Sequence, residues 1–535
     1  MRKRIFQVLC CGLILCSMTM EAQQVSIIPM PLKAVETMGV NPLREKQITY
    51  TNDVLKNEAE QLNQSLGGGY KVVKAKNANK GILLTINNSA TDAEGYKLSI
   101  GKKLISIVGT DEAGVFYGTQ SLLQQINNTP KGSLICMEIE DSPRYGWRGY
   151  MLDESRHFFG KEKVKQLLDM MSYYKLNKFH WHLTDEPAWR IEIQKYPKLT
   201  EVGAEGSWSD PDLPAQSYSQ NDIREIVSYA ADRHIEVIPE IDMPGHATAA
   251  NRAYPQFSGG GTTDHPDFTF NPGKEEVYAY LTDILREVAE LFPSKYMHIG
   301  GDEVSFGIKA WESDPDVQAL LKREGLKHVK DAERYFINRM TDSVQVLGKE
   351  LLGWDELLEI DADPTSTTIM WWRHDRVNQL KKSLNNKYET ILCPRRPLYF
   401  DFIQNKDDKW GRVWNGFCPL EDVYTFPDKG MDDWGLTDTD LSFIKGVQAN
   451  VWTERIHNTD RLDYMTYPRI CALAESAWSV PERKDYACFE QRLNQAYLLF
   501  AKEGIYYHDH RDPSKTPEPK GCEKKDKKIN LDFRD

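Results

Sequence analysis

Eight short apolar runs, each ending in charged or aromatic residues, constrain what this chain can fold into more than any other feature. They fall at 149–152, 178–182, 236–241, 296–299, 350–353, 368–371, 390–393 and 445–451. Each is long enough for a buried strand and too short for a helix. Helical spacing separates many of them. Val164, Leu167, Leu168 and Met171 make one apolar face, Ile223, Ile226, Val227 and Ala230 make another, and further helical patterns cover 274–291 and 329–346. Parallel strands need crossover connections of this kind. Eight of them over about 330 residues predict an α/β fold with a closed (β/α)8 barrel as its main domain. An open doubly wound sheet gives a similar alternation, but no Gly-rich dinucleotide fingerprint supports it.

The remaining chain divides around this barrel. Arg2, Lys3 and Arg4 precede an apolar stretch that runs to about Leu15. That is the pattern of a secretory signal over residues 1–22, too short to span a membrane. Cys16 raises a lipoprotein reading, which the bulky Leu15 before it disfavours. Export to the periplasm, the cell surface or beyond is the expectation. Residues 23–142 read as a small α/β support domain, a sheet covered by helices on one face. It has a strand at 81–87, a hairpin at 96–107 turning through Gly101-Lys102, and a helix beginning midway through 112–126. Asp141-Ser-Pro-Arg144 punctuates the boundary, the barrel takes residues 143–500, and the lysine- and proline-bearing extension 501–535 is expected to be partly disordered, mobile from Asp512.

Composition narrows the function. The whole chain has a formal charge of −12, which becomes about −14 without the first 22 residues. A basic nucleic-acid surface is therefore disfavoured. Six cysteines follow the signal region, with no CxxC pair and no zinc spacing, so most are expected as buried thiols.

In a barrel, side chains at the carboxyl ends of the strands converge on one pocket. Here those ends carry Asp153-Glu-Ser-Arg156, His180-Trp-His182 with Asp185, Glu240-Ile-Asp242 with His246, and Asp302-Glu303 after Tyr296-Met-His-Ile-Gly-Gly. The later strands bring Trp354-Asp355-Glu356, Trp371-Trp372, Tyr399 and Asp401, and Trp452-Thr-Glu454. Any one of these carboxylates could be an ordinary solvated loop residue; eight strand ends of the same character are not so dismissed. His180 and His182 form an HxH pair of the kind that binds metal in barrel hydrolases, and Asp242, His246, His298 or Asp302 could complete a site. The pair follows the second strand rather than the first, however, and tryptophans surround it. The histidines are therefore expected as hydrogen-bonded supports for carboxylates, with no metal and no other cofactor. A pyranose has apolar C–H faces for aromatic planes to cover and a rim of hydroxyls for carboxylates and arginine. The mixture of Trp354, Trp372, Trp452 and Tyr399 with Arg156, Asp401 and Glu454 points to a saccharide.

These segments resemble glycoside hydrolase family 20, the β-N-acetylhexosaminidases. The likeness runs through Arg148-Gly-Tyr-Met-Leu-Asp-Glu-Ser-Arg-His-Phe158, Lys178-Phe-His-Trp-His-Leu-Thr-Asp-Glu-Pro-Ala-Trp-Arg190, Pro239-Glu-Ile-Asp-Met-Pro-Gly-His246 and His298-Ile-Gly-Gly-Asp-Glu303. It continues through Gly353-Trp-Asp-Glu356, Tyr399-Phe-Asp401 and Asn450-Val-Trp-Thr-Glu454, covering roughly residues 23–480. The resemblance implies an exo-acting, retaining enzyme that uses the substrate's own 2-acetamido oxygen as nucleophile. In that scheme Glu303 is the general acid/base, with its pKa raised by burial and acidic neighbours. Asp302 accepts the acetamido N–H and Tyr399 donates to its oxygen. Arg156, Asp401 and Glu454 bind outer hydroxyls, and Trp354, Trp372 and Trp452 wall the sugar, with Trp371 an alternative to Trp372. Asp185, Asp242, His246 and His298 form a supporting polar network. The implied partners are glycans with a terminal β-linked N-acetylglucosamine or N-acetylgalactosamine. A disaccharide-releasing enzyme and a non-catalytic glycan-binding protein are the alternatives. The first is opposed by Arg156, Asp401 and Glu454, and the second by the presence of Glu303, Asp302 and Tyr399.

Overall fold

A computed structural model of the chain describes residues 25–87, 92–129, 133–360, 362–414 and 416–522. The amino-terminal export pattern, with Cys16, lies outside them, as do residues 523–535. Seven strands form the first sheet: β1 (Lys33–Asn41), β2 (Gln47–Tyr50), β3 (Lys71–Lys74), β4 (Gly81–Ile86), β5 (Tyr96–Ile100), β6 (Leu104–Gly109) and β7 (Leu134–Asp141). Their order is β1-β7-β5-β6-β4-β2-β3. The β5–β6 hairpin turns where expected, with Gly101 N–H donating to the Leu104 carbonyl at 2.9 Å. Helices Lys56–Ser65 and Glu112–Asn127 contribute to the core beneath this sheet.

The second helix starts at Glu112, earlier than its spacing predicts. Asp111 caps it by accepting from Gly114 N–H at 2.7 Å. The glycines that weaken its helical signal have a packing role. A Cβ at Gly114 would stand 2.1 Å from the Gly95 carbonyl oxygen, and one at Gly118 would stand 2.5 Å from Ile107. Only a bare backbone lets this helix lie so close to the sheet.

The barrel consists of β8 (Trp147–Asp153), β9 (Lys178–His182), β10 (Glu236–Glu240), β13 (Tyr296–His298), β14 (Glu350–Trp354), β15 (Thr367–Trp371), β16 (Glu389–Leu392) and β17 (Ile444–Val451). A small ribbon, β11 (Ser258–Gly260) with β12 (Thr269–Phe270), lies in the loop after β10. The eight strands close in the order β10-β13-β14-β15-β16-β17-β8-β9, every pair parallel. All eight predicted runs are strands, shifted by a few residues at most. Five of the six later cysteines are buried, and all six are free thiols.

Charge joins the two domains. Asp141, at the end of β7, accepts from Tyr96 (2.7 Å), Trp478 Nε1 (2.9 Å), Lys175 Nζ (3.0 Å) and Leu32 N–H (3.1 Å). Lys175 and Asp141 are both buried, and the ammonium also faces the Trp478 ring at 4.6 Å. Beside them the buried Arg148 pairs with Glu94 at 2.6 Å.

The carboxy-terminal extension departs from expectation. After helix Tyr486–Lys502 residues 513–515, 517 and 520 are exposed, yet the segment is held by particular contacts as far as Cys522. Glu518 bonds the loop 404–412 and Cys522 is buried. The proline content that opposes regular structure does not prevent a non-helical segment from being fixed by its side chains.

Removing one partner of a buried ion pair strands the other. Lys175→Met should therefore lower stability by about 3–5 kcal/mol in denaturant unfolding, and Asp141→Asn in the same background should recover part of that loss. An unchanged midpoint in Lys175→Met would show that the pair is dispensable to the domain junction.

Candidate active site

The strand ends converge as predicted, and the first group built there is an alternating run of buried charge. Glu240, the last residue of β10, accepts from His182 Nδ1 at 2.6 Å and from Trp354 Nε1 at 3.0 Å. His180 Nε2 and His298 Nδ1 approach the same carboxylate at 2.8 and 3.0 Å. His182 turns its other nitrogen to Asp185 Oδ2 at 2.9 Å. Asp185 Oδ2 also meets Arg156 Nη1 at 2.5 Å, while its Oδ1 meets His246 Nδ1 at 3.0 Å. His246 Nε2 then stands 3.5 Å from Glu303 and 3.6 Å from Asp302.

Protonation follows from this order. Burial opposes a charge on His182, but Glu240 and Asp185 hold its pKa well above the ordinary histidine value. Burial likewise opposes a charge on His246, and Asp185, Asp242 and Asp302 raise its pKa well above the ordinary value. Burial would raise Asp185, yet Arg156 and His246 hold it far below the usual carboxylate range. His180, dominated by burial, is lowered to about 4 and is neutral.

Asp302 and Glu303 are delivered by the Gly300-Gly301 turn after β13. Both glycines have positive φ, 69° and 90°, and a Cβ at Gly300 would fall 1.8 Å from Asp242 Oδ1. No other residue lets the turn pass Asp242 this closely. Glu303 and His246, which face each other, also have positive φ, 50° and 54°. Such a conformation is costly for non-glycine residues and clusters at functional sites. Glu303 is partly exposed at the mouth, whereas Asp302 is buried. Burial pushes Asp302 up to about 7, with Glu303 and Glu240 adding to the rise and His246 opposing it. Asp242 is raised by burial and by Asp302.

An aromatic wall faces these acids. Trp354 and Trp452 lie 5.8 Å apart, Tyr399 and Trp452 6.1 Å apart, and Trp372 stacks on Tyr399 at 6.3 Å. Trp372 is held by Glu356, which accepts from its Nε1 at 2.9 Å. Trp371 points the other way, as neighbours along an extended chain must; it packs in the outer core against Trp434 at 5.3 Å. Trp372 is thus the residue that joins the wall. Burial raises the Tyr399 hydroxyl well above 10, with Cys393 and Asp302 adding to the effect, so it remains a donor.

The recognition side contains a residue that sequence reasoning missed. Arg412 Nε donates to Asp401 and its Nη2 donates to Glu454 at 2.9 Å. Burial and Glu454 raise Asp401 to about 6 against the pull of Arg412. Burial also opposes charge on Glu454, but Arg412 and Arg156 hold it below the usual value. Arg156 faces the Trp452 ring at 5.1 Å. Nothing local marks Arg412 in the sequence, because it sits in a loop after β16 with no strand pattern around it. Glu240 was visible at a strand end but unassigned; the HxH pair, which needs a buried acceptor, was its signal.

Among the described residues, four groups of ligand atoms are close enough to hold a metal ion: His180/Glu240/His298, His182/Asp185/Asp242, Asp185/Glu186/His246 and Asp242/His246/Asp302. In the second group His182 already engages Glu240 and Asp185, and in the third Asp185 is engaged by Arg156, His182 and His246. Their contacts read as a hydrogen-bonded network supporting carboxylates.

Residues 145–481 match the family model of the glycosyl hydrolase family 20 catalytic domain, and residues 24–142 match domain 2 of the same family. The chain belongs to glycosyl hydrolase family 20. It is 35% identical to a beta-hexosaminidase of Porphyromonas gingivalis over 94% of this chain and 67% of that protein. It is 33% identical to a beta-hexosaminidase of Vibrio furnissii over 85% of this chain and 77% of that one. Among solved structures, an exo beta-N-acetylglucosaminidase from Vibrio harveyi in complex with N-acetylglucosamine superposes with a TM-score of 0.83. That pair shares 30% identity over 90% of this chain and 78% of the other. A beta-N-acetylhexosaminidase from Bacteroides fragilis superposes with a TM-score of 0.79 at 31% identity, covering 90% and 96%.

A carboxylate whose folded pKa is raised binds its proton more tightly folded than unfolded, so its contribution falls as pH rises from about 4 toward 7. Asp302→Asn should therefore raise the thermal unfolding midpoint relative to the unaltered enzyme at pH 8, by a few degrees, and leave it nearly unchanged at pH 4. An equal effect at both pH values would show that ionised Asp302 is not under strain in the fold.

Proposed function

We infer that this enzyme is an exo-acting, retaining β-N-acetylhexosaminidase that releases terminal N-acetylglucosamine from glycans by substrate-assisted catalysis. The observation that carries this reading is the placement of adjacent Asp302 and Glu303 opposite an aromatic wall containing Tyr399. Glu303, partly exposed and 3.5 Å from the His246 imidazolium, is the group that protonates the departing glycosidic oxygen and later takes a proton from water. The acetamido oxygen closes on the anomeric carbon, aligned by the Tyr399 hydroxyl, to give an oxazolinium. Asp302 accepts the acetamido N–H. Its buried carboxylate gains most from being ionised when positive charge develops beside it. Water then opens the ring from the face the leaving group left, which preserves the β configuration.

Recognition has its support on the other side of the pocket. Trp354, Trp372 and Trp452 offer planes to the sugar's apolar faces. Arg156, Asp401 and Glu454 offer hydrogen-bonding groups to its outer hydroxyls, which favours a chain end over an internal residue. N-acetylgalactosamine differs only at the 4-hydroxyl, which these same three residues address. The Vibrio harveyi structure holds N-acetylglucosamine, the sugar proposed here. The arginine-rich, then apolar, amino terminus supports export of the enzyme before it meets its glycans. Sequencing of the mature amino terminus, expected at Gln23, tests that step.

Hydrolysis of 4-nitrophenyl β-N-acetylglucosaminide tests the mechanism. Glu303→Gln should lower kcat by at least about a hundredfold. Tyr399→Phe should lower kcat more than it raises KM, because its hydrogen bond matters most as the acetamido oxygen attacks. A sugar-fused thiazoline, which resembles the oxazolinium, should inhibit competitively. Full turnover by Glu303→Gln would remove this residue from the acid/base role.

A further inference from the structure

We propose that the carboxy-terminal segment is a positioning element for the sugar pocket. Glu518 fixes the loop that carries Arg412, and Arg412 in turn sets the Asp401 and Glu454 carboxylates. The inference rests on the reading above, in which those two carboxylates receive the sugar's outer hydroxyls.

The segment is anchored before it reaches the pocket. Tyr507 stacks on Tyr497 at 4.7 Å, His508 N–H donates to the Tyr467 carbonyl at 3.0 Å, and Tyr506 donates to the Pro517 carbonyl at 2.8 Å. Glu518 is thereby presented to the loop 404–412. Its carboxylate accepts from two consecutive backbone amides, Lys409 N–H at 2.7 Å and Trp410 N–H at 2.9 Å. It also accepts from Nη1 of the buried Arg461 at 2.8 Å. Paired backbone amides facing one anion make a fixed, directional contact.

Two residues further along lies Arg412, with little slack between. A Cβ at Gly411 would stand 2.8 Å from Ile403 and 3.1 Å from the Asp401 carbonyl oxygen, so this stretch lies tight against the turn carrying Asp401. Arg412 N–H donates to the Asp401 carbonyl at 2.8 Å, and its own carbonyl accepts from Ile403 N–H at 3.1 Å. Backbone and guanidinium therefore grip Asp401 together, and Nη2 reaches Glu454. Past Glu518, Gly521 packs on Trp410, and Cys522 Sγ lies 3.9 Å from His157 Nε2. His157 Nδ1 is 2.7 Å from the carbonyl of Thr453, the neighbour of Glu454. Both carboxylates of the recognition side are thus tied to the same segment, while Asp302, Glu303 and His246 are held by other elements.

Glu518 touches no substrate in this scheme, so its removal should act on binding rather than on chemistry. In the full chain, with 4-nitrophenyl β-N-acetylglucosaminide, Glu518→Ala should raise KM about tenfold with kcat within about twofold. Glu518→Gln, which keeps an acceptor and serves where the alanine variant fails to fold, should raise KM less. In an Arg412→Gln background, Glu518→Ala should add little further, since both act through one contact. An unchanged KM in a folded, active Glu518 variant overturns the proposal. So does a lowered thermal midpoint with both kinetic constants retained, or a fully additive effect on Arg412→Gln. Lack of turnover by the unaltered enzyme overturns the reading of function as well; turnover with unchanged KM overturns this inference alone.

Discussion

The alternation of buried anions and cations from Glu240 through His182, Asp185 and His246 to Asp302 and Glu303 is what the mouth of this barrel is arranged around. A charge taken from water into a protein interior costs several kcal/mol unless it is paired. Here Glu240 is bonded by His182 and the Trp354 indole, and Asp185 by His182, His246 and Arg156. No single member can be removed without stranding its neighbours. The two histidines are consequently fixed in orientation and held protonated, and His246 presents a positive ring to the two acids that face the sugar. The raised pKa of Asp302 is the part of the network left unbalanced. Its countercharge is completed only when a positive centre forms in the pocket, which is how such a site favours a transition state over the resting enzyme.

Backbone geometry carries the same demand. Strand ends in a parallel barrel place side chains on a ring, and Asp302 and Glu303 must reach from there to within 3.6 Å of His246. The Gly300-Gly301 turn closes that distance, and Gly300 could bear no side chain beside Asp242. The positive φ values at Glu303 and His246 are the strain retained after closure. Elsewhere the barrel has ordinary apolar strands and helices, and its core supplies the rigidity that holds these conformations.

Much of this was legible in the chain because it is written in local patterns. The eight strands announce themselves as apolar runs, and the residues just past them are those of the pocket. The HxH pair implied buried acceptors, which Glu240 and Asp185 supply. What escaped reading depends on long-range packing. Trp372 was preferred to Trp371 only through the family resemblance, and in the fold the alternation of an extended chain separates the two. The helix beginning at Glu112 was shortened in reading because Gly114 and Gly118 lower helical propensity, whereas in the fold they permit close approach to Gly95 and Ile107. Arg412 lies in a loop without periodicity, and the proline-bearing extension read as mobile because nothing in its composition reveals that Glu518 has two amides and a guanidinium waiting for it.

These differences in legibility follow a division within the site. The acids that act on the glycosidic bond stand at the ends of barrel strands or on short turns after them, where neighbouring strands fix their positions to within a hydrogen-bond length. Tyr399, Asp401 and Arg412 stand instead on the long connection between β16 and β17, which has no strand partner over most of its length and is fixed by side chains: Arg469 bonds the Phe400 and Phe402 carbonyls, and Glu518 bonds the loop amides. A loop held by a few polar contacts can change those contacts without disturbing the barrel. Tyr399 is also anchored by a bridge to Asn450 of β17, and Arg156 and Glu454 follow strand ends, so among the sugar-facing groups it is Asp401, with its partner Arg412, that depends most on these braces. Substitution among the braces can shift which terminal sugar is admitted while leaving the proton transfers at Glu303 where they are.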